Sequence, residues 1–170
     1  MARNPYFKEY HGEQDLIEDL TIETIKSMGK DMVYIPRNLV NEDKLFGEDT
    51  TSKFDDGYSL EMYVQSVDGF EGEGDFLGKF GIEIKDKIEL IISKKRFEEE
   101  ITVYESITRP REGDLIFFPL SKTLFEINFV EHENPFYSLG KLFTYKLSCE
   151  VFTYSQEEID TGYDAIDVLE

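Results

Sequence analysis

The sequence predicts a mainly β fold: an antiparallel sheet closed into a barrel or sandwich, with long loops and one amphipathic helix near the N-terminus. Three observations carry this. After a single helical stretch, apolar residues recur every second position rather than every three to four. The alternating segments are short and mostly polar on one face, as strands of an antiparallel sheet are. The chain has 170 residues, 40% of them apolar, with 14 Phe and 10 Tyr, which is enough to fill one core without a disulfide or metal.

The helix is expected over Asp15–Met28. Leu16, Ile17, Leu20, Thr24 and Met28 fall within one stripe of about 120°, taken as the buried face. Gly29 offers a left-handed cap, and acids early with Lys26 and Lys30 late suit the helix dipole. Ile22 lies off the stripe and is read as an exposed side chain or a candidate subunit contact.

Strands follow. Met32–Ile35 stops at Pro36. Tyr58–Ser66 alternates Leu60, Met62 and Val64 with polar partners. Ile82–Ser93 aligns Ile82, Ile84, Ile88, Leu90 and Ile92, with a bulge or bend expected at Asp86. Ile101–Ile107 alternates again, and 110–114 is a turn before Leu115–Phe118. Phe125, Ile127 and Phe129 are expected to share a face, as are Phe143, Tyr145, Leu147, Cys149 and Val151. This makes one β-rich domain over 1–154. The remainder, 155–170, is an acidic tail with six acids and no Lys or Arg, expected to be mostly surface or disordered.

Three connections are long for such a fold: Arg37–Asp56, Asp68–Gly81 and Glu131–Lys141. They carry Phe46, Phe70, Phe76, Phe80, Phe136 and Tyr137, and aromatic rings on loops suit interfaces.

Charge narrows the function. Eighteen Lys and Arg against 37 Asp and Glu give −19. Phosphate binding draws its affinity from cations displacing counterions, so a general nucleic-acid binder is excluded, and an anionic membrane would repel the chain. The charge is uneven: 41–76 nets −9 and 150–170 nets −7, while 77–149 nets only −1. The first 14 residues have no apolar core, so no signal peptide is expected, and no apolar run approaches a membrane span. A lone cysteine, Cys149, forms no internal disulfide and fits a reducing compartment.

Catalytic chemistry is weakly represented. His11 and His132 are the only histidines, and His132 between two glutamates reads as an exposed turn residue. Cys149 reads as an inert buried thiol. Glu71, Glu73 and Asp75 alternate as in a calcium loop, but Phe76 and Ile82 occupy the positions that need Gly and Glu. Lys94-Lys95-Arg96 followed by Glu98-Glu99-Glu100 reads as a solvated charged turn; a short helix would instead pair them at three- and four-residue spacing. No glycine-rich phosphate loop is present. No cofactor, metal or enzymatic activity is expected.

The order of several segments resembles a known family: Asn4-Pro5-Tyr6, Tyr34-Ile35-Pro36-Arg37, Leu45-Phe46-Gly47-Glu48-Asp49, Glu112–Pro119, Leu124–Asn128, Asn134–Gly140 and Phe152–Ile159. Together they span residues 4 to about 160 and resemble the neck, or head-completion, protein of T-even-like contractile-tailed bacteriophages. The resemblance implies a structural virion protein, made in the host cytoplasm, that forms a ring of six copies between head and tail. It would sit below a head-proximal adaptor on the portal and above the tail-terminator protein, closing the DNA-filled head, docking the tail and passing DNA without binding it specifically. Longer family members continue past the point where this sequence stops, and no role of that extension carries over.

On that footing Arg37, Phe46, Glu48, Asp49, Phe136 and Tyr137 are candidate inter-ring contacts. Phe70, Glu71, Glu73 and Asp75 form a candidate acidic lumen loop. Two readings compete. An acidic DNA mimic would array its acids along the fold, whereas 77–149 is nearly neutral. A hydrolase using Asp55 and Asp56 would need a concave pocket, and neighbouring strand residues point apart.

Overall fold

The computed structural model describes residues 12–38, 52–68, 87–104, 107–131, 141–154 and 158–167. Helix α1 (Gly12–Met28) leads into β1 (Lys30–Ile35), β2 (Lys53–Phe54), β3 (Tyr58–Asp68) and β4 (Lys87–Ser93). A helical turn α2 (Lys94–Phe97) runs into a π-helical turn, Glu98–Thr102. Strands β5 (Leu115–Phe118), β6 (Thr123–Glu131), β7 (Thr144–Val151) and β8 (Glu158–Ile159) and helix α3 (Asp164–Asp167) complete the chain.

Six strands close into a barrel in the order β1-β3-β4-β7-β6-β5, each neighbouring pair antiparallel. The alternative of a sandwich is thereby settled, and closure leaves the barrel without an edge strand. The register defines two ends. At the upper end lie the pairs Ile35↔Leu115, Tyr34↔Tyr58, Ser93↔Thr144 and Glu131↔Lys146. At the lower end lie Asp68↔Lys87 and Phe118↔Thr123.

The interior is filled by the expected alternation. Met32, Tyr34, Leu60, Met62, Ile88, Leu90, Ile92, Ile116, Phe125, Ile127, Leu147 and Cys149 all point inward. Burial pushes the Cys149 thiol up to about 12, as an inert buried thiol requires. The upper end is plugged by α2 and the π-helical turn, which bring Phe97 and Ile101 inside. Phe97 packs edge-on against Tyr34, with ring centroids 5.3 Å apart.

This plug corrects the strand expected over Ile101–Ile107. Ser93 caps the helix by accepting from the Arg96 N–H, and Phe97 and Ile101, four residues apart, bury one helical face. Helical burial overrides the alternating pattern, and Val103 and Tyr104 are left exposed. Arg96 is no part of a solvated turn either. It pairs with Glu99 at 3.0 Å and Glu100 at 2.7 Å, the helical spacing, and with Glu61 of β3 at 3.2 Å.

Two bulges adjust the wall. One falls between Val64 and Ser66. The other falls between Ile127 and Phe129, where one extra residue, Asn128, flips the alternation. Phe129 therefore points outward and Val130 takes the inward place that the sequence pattern assigned to Phe129. The bend expected at Asp86 lies outside the described residues.

A second core lies outside the barrel. Val33 and Ile35 of β1, Leu115 and Phe117 of β5 and Leu124 of β6 point outward, and Phe54, Ile159 and Ile166 cover them. This explains why β1 and β5 read as continuous apolar runs. Part of the C-terminal end contributes to this cover, while Asp160, Tyr163 and Ala165 are exposed. Within 155–170, β8 pairs in parallel with β2, and Ile159, Thr161 and Ile166 are buried.

Helix α1 packs on β3 and β4. Its faces are inverted relative to the hydrophobic stripe: Gln14, Glu18 and Ile25 are buried, while Leu16, Leu20 and Met28 face solvent. Ion pairs hold this orientation: Glu18 to Lys141 at 2.9 Å, Asp19 to Lys95 at 2.8 Å and Lys26 to Glu61 at 3.5 Å. Gly29 ends the helix for a reason other than a left-handed φ. A Cβ there would stand 2.5 Å from the carbonyl oxygens of both Ile25 and Met62, so only glycine lets the helix end meet β3.

Candidate assembly surfaces

Three of the sequence segments singled out above converge on one residue, Asp114, at the upper end of the barrel. Asp114, 1% exposed, follows the turn at Gly113, whose φ of 91° suits glycine. The Tyr34 hydroxyl donates to Asp114 Oδ2, and the Arg37 N–H donates to Oδ1 at 2.8 Å. Arg111 adds its N–H at 3.1 Å and Nη2 at 3.2 Å. Ile127 N–H donates to the Asp114 carbonyl at 2.9 Å, and Gly113 N–H to the Ile127 carbonyl at 2.8 Å. Burial, reinforced by the Asp114 charge, pushes the Tyr34 phenol well above its ordinary range, so it stays a donor. The chemistry is that of a pin: a buried charge fully supplied with donors, holding β1, β5 and β6 in register.

Arg37, expected at an inter-ring contact, belongs to this pin. Its Nε donates to Ser52 Oγ at 2.6 Å, and its carbonyl accepts from Arg111 Nη2 at 2.9 Å. Its guanidinium also lies over the turn, with Nη1 3.1 Å from where a Cβ on Gly113 would sit. Ile22 is half-buried, on the same i+4 ridge as Glu18 and Lys26, both of which pair with residues beyond the helix. Phe46, Glu48, Asp49, Phe136, Tyr137, Phe70, Glu71, Glu73 and Asp75 lie outside the described residues, as do His11 and His132.

The barrel register nevertheless fixes where the flanks of those segments stand. Asn38 and Lys53, which bracket 39–51, bridge each other just beyond Ile35, and Glu131 and Lys141 bracket 132–140. Both sets of flanks are at the upper end. Asp68 and Lys87, which bracket 69–86, are paired at the lower end. The candidate inter-ring segments therefore spring from one end and the candidate lumen loop from the other.

Sequence reasoning missed the exposed apolar side chains on the walls. Leu16, Leu20 and Met28 are 60%, 52% and 68% exposed on α1, and Leu120 and Phe129 are 71% and 56% exposed beside β6. For α1 the one local hint is Thr24, which interrupts its apolar stripe; the partners of Glu18, Asp19 and Lys26 lie far off in sequence. Asp55 and Asp56 are exposed side chains between β2 and β3. Among the described residues no three potential metal ligands come together, and no helix is long and apolar enough to cross a membrane.

Residues 2–170 match the T4 neck-protein family model, described as a virus neck protein.

Proposed function

We propose, from the premise that the chain belongs to the virus neck protein family, that it is a connector ring component that closes the DNA-filled head and docks the tail. Membership makes it a structural protein of the virion, associated with other virion components. The match along residues 2–170 is the observation that carries the reading. In this reading copies of the chain form a ring of six, with a head-proximal adaptor on the portal above and the tail-terminator protein below. The protein is made in the host cytoplasm, and DNA passes through the ring on ejection without specific binding.

The wall supports such a role. A closed antiparallel barrel, plugged at one end by Phe97 and Ile101, is rigid and offers no strand edge to unwanted partners. The segments with Phe46, Glu48, Asp49, Phe136 and Tyr137 meet the neighbouring ring, and their flanks share the upper end. The segment with Phe70, Glu71, Glu73 and Asp75 leaves from the lower end and faces the channel. Acids there repel phosphates and leave mobile counterions beside the moving strand.

A particle inventory tests the reading. A host producing the phage without this protein accumulates filled heads and finished tails that stay separate; joined, infectious particles overturn the role. Within the reading, Phe46→Ala and Phe136→Ala reduce head–tail joining while leaving the melting temperature of the purified chain unchanged.

A further inference from the structure

We propose that copies of this chain join side by side through opposite charges on the rim of the barrel's upper end. The Lys94 and Arg109 cations of one copy take the Asp55 and Asp56 carboxylates of the next. This rests on the ring reading above and names the surfaces that build the ring.

Barrel closure removes pairing between strand edges, so copies of this barrel join through side chains. In a chain at −19, a cation without an acid stands out. Lys26, Lys95, Arg96, Lys141 and Lys146 all pair with carboxylates of their own chain. Lys94 and Arg109 form no ion pair among the described residues, and both act on one side chain, Tyr145. Lys94 Nζ lies over the Tyr145 ring, 4.7 Å from its centroid. Burial lowers the Lys94 ammonium below its ordinary range, with no carboxylate near enough to offset it. Burial also holds the Tyr145 phenol above its ordinary range; the Arg109 charge opposes this and the Glu98 charge adds to it. Two cations and one carboxylate therefore share the spot, which stays net positive. A partly desolvated ammonium gains more from an incoming carboxylate than a fully hydrated one does.

The matching acids stand on the cover of the outer core. Pairing of β2 with β8 sets Asp160 beside Asp55, because the Asp160 N–H donates to the Phe54 carbonyl at 3.0 Å. Asp55, Asp56 and Asp160 are exposed and form no ion pair among the described residues; Asp55 accepts from Asn38 Nδ2 at 3.5 Å. Lys53, on β2 beside them, is already engaged within its own chain. The exposed Tyr163 ring lies against Gly57, next to Asp56, and offers a face on which a guanidinium stacks.

Topology sets the two patches on opposite sides of one rim. The cover overlies β1, β5 and β6. In the closed order β1-β3-β4-β7-β6-β5, β4 faces β5 across the barrel and β7 faces β1. Lys94 directly follows β4, and Tyr145 is on β7. Both patches are level with the upper end: Asp55 and Asp56 come just before Tyr58, which pairs with Tyr34, and Lys94 comes just after Ser93, which pairs with Thr144. Unlike patches on opposite sides generate a head-to-tail series, which closes into a ring when each step turns slightly. A two-fold dimer would need both patches on one face. Acid against acid and cation against cation repel, so charge selects the unlike pairing.

Sedimentation velocity on the full chain reads the contact. Wild type forms assemblies larger than a dimer at low salt, and they dissociate as salt rises. The double variants Lys94→Glu/Arg109→Glu and Asp55→Lys/Asp56→Lys each weaken self-association by about tenfold or more and run as monomers. Arg109→Glu alone, at an exposed position, weakens it less and melts as wild type does, which separates the contact from folding. Mixed in equal amounts, the two double variants reassemble, because each reversed patch meets its complement on the other variant and the copies alternate. Both variants remain acidic overall, so bulk attraction does not produce that recovery. A wild-type chain that stays monomeric at low salt overturns the proposal. So do assemblies that survive both double variants, and a mixture that fails to reassemble. Survival of the assemblies would discard these surfaces and keep the ring, while the fate of the neck reading is decided separately by the particle inventory.

Discussion

The barrel interior and the outer core share three strands, β1, β5 and β6, but are built on different principles. Inside, apart from the Phe97, Ile101 and Ile107 plug, each apolar residue comes from a strand hydrogen-bonded to both neighbours, and the wall closes on itself. Outside, Val33, Ile35, Leu115 and Phe117 depend on a cover made of two-residue strands, β2 and β8, and the four-residue helix α3. The first is held by a continuous ladder; the second by side chains from Phe54, Ile159 and Ile166 and a few backbone bonds such as Asp160 N–H to Phe54 O at 3.0 Å. Short elements with few ladder bonds open at lower free energy than closed sheets, so the cover is the part that yields first.

The sharpest way to break the comparison is to remove what both regions share. Asp114 stands where β1 meets β5, two of the three strands common to both cores. Asp114→Ala strips the partner from the buried Tyr34 hydroxyl and from the Arg37 and Arg111 amides. The expected loss is about 3–5 kcal/mol, in one cooperative transition that takes both regions together. Urea unfolding followed by tyrosine fluorescence and circular dichroism checks it; a loss below about 1 kcal/mol shows that the pin is dispensable. Tyr34→Phe removes a single donor and costs about 1–2 kcal/mol in the same measurement.

The next step separates the regions. Leu90→Ala, in the middle of the interior, costs about 2–5 kcal/mol and shifts the urea midpoint without changing the slope. Ile166→Ala, in the cover, lowers global stability by less, about 1–2 kcal/mol, because the segment detaches before the barrel unfolds. Hydrogen exchange distinguishes them: the Asp160 and Ile166 amides lose protection in the cover variant while those of β4 and β7 keep theirs. Equal loss of protection everywhere would merge the two regions into one cooperative unit.

The same contrast explains what was legible in the sequence. Interior strands announce themselves through alternation, so Leu60, Met62, Ile88, Leu90, Leu147 and Cys149 are assigned to the inner face from the pattern alone. Family segments were legible too, although their shared purpose around Asp114 needs the three-dimensional register. Hydrophobicity misleads where something other than apolar burial decides. The α1 faces are set by partners far off in sequence, Lys95 and Lys141, which no local window contains. Phe129 turns outward because of one bulged residue, and a single insertion reverses every later side chain. Residues 101–102 look like the start of a strand but continue a helix that began at Ser93. The acidic composition near the C-terminus hid Ile159 and Ile166, the two apolar residues that anchor the segment on the outer core.

The smallest expected effect is also the most specific, because it concerns the barrel side alone. Glu61 on β3 accepts from Arg96 Nε and Nη2, both at 3.2 Å, and faces Lys26 at 3.5 Å. Burial alone would raise its pKa, but the Arg96 hydrogen bonds outweigh that and hold it below the ordinary carboxylate range. Glu89 is held low as well, chiefly by hydrogen bonds from Lys146 and Ser66. A carboxyl whose folded pKa lies below its unfolded value, about 4.3 for Glu, stabilises the fold at pH above that value. The contribution is lost as pH falls through the folded pKa. Glu61→Gln is therefore less stable than wild type at pH 7, and the difference shrinks as pH falls from about 5 toward 3. Thermal melts across that range check it, with Ile166→Ala as the contrasting variant, whose melting temperature falls in parallel with wild type because no carboxyl is involved. If Glu61→Gln and wild type also run parallel, the Arg96–Glu61 pair contributes nothing to stability, and α1 and the upper-end plug are held by their other ion pairs and by Ile25, Phe97 and Ile101.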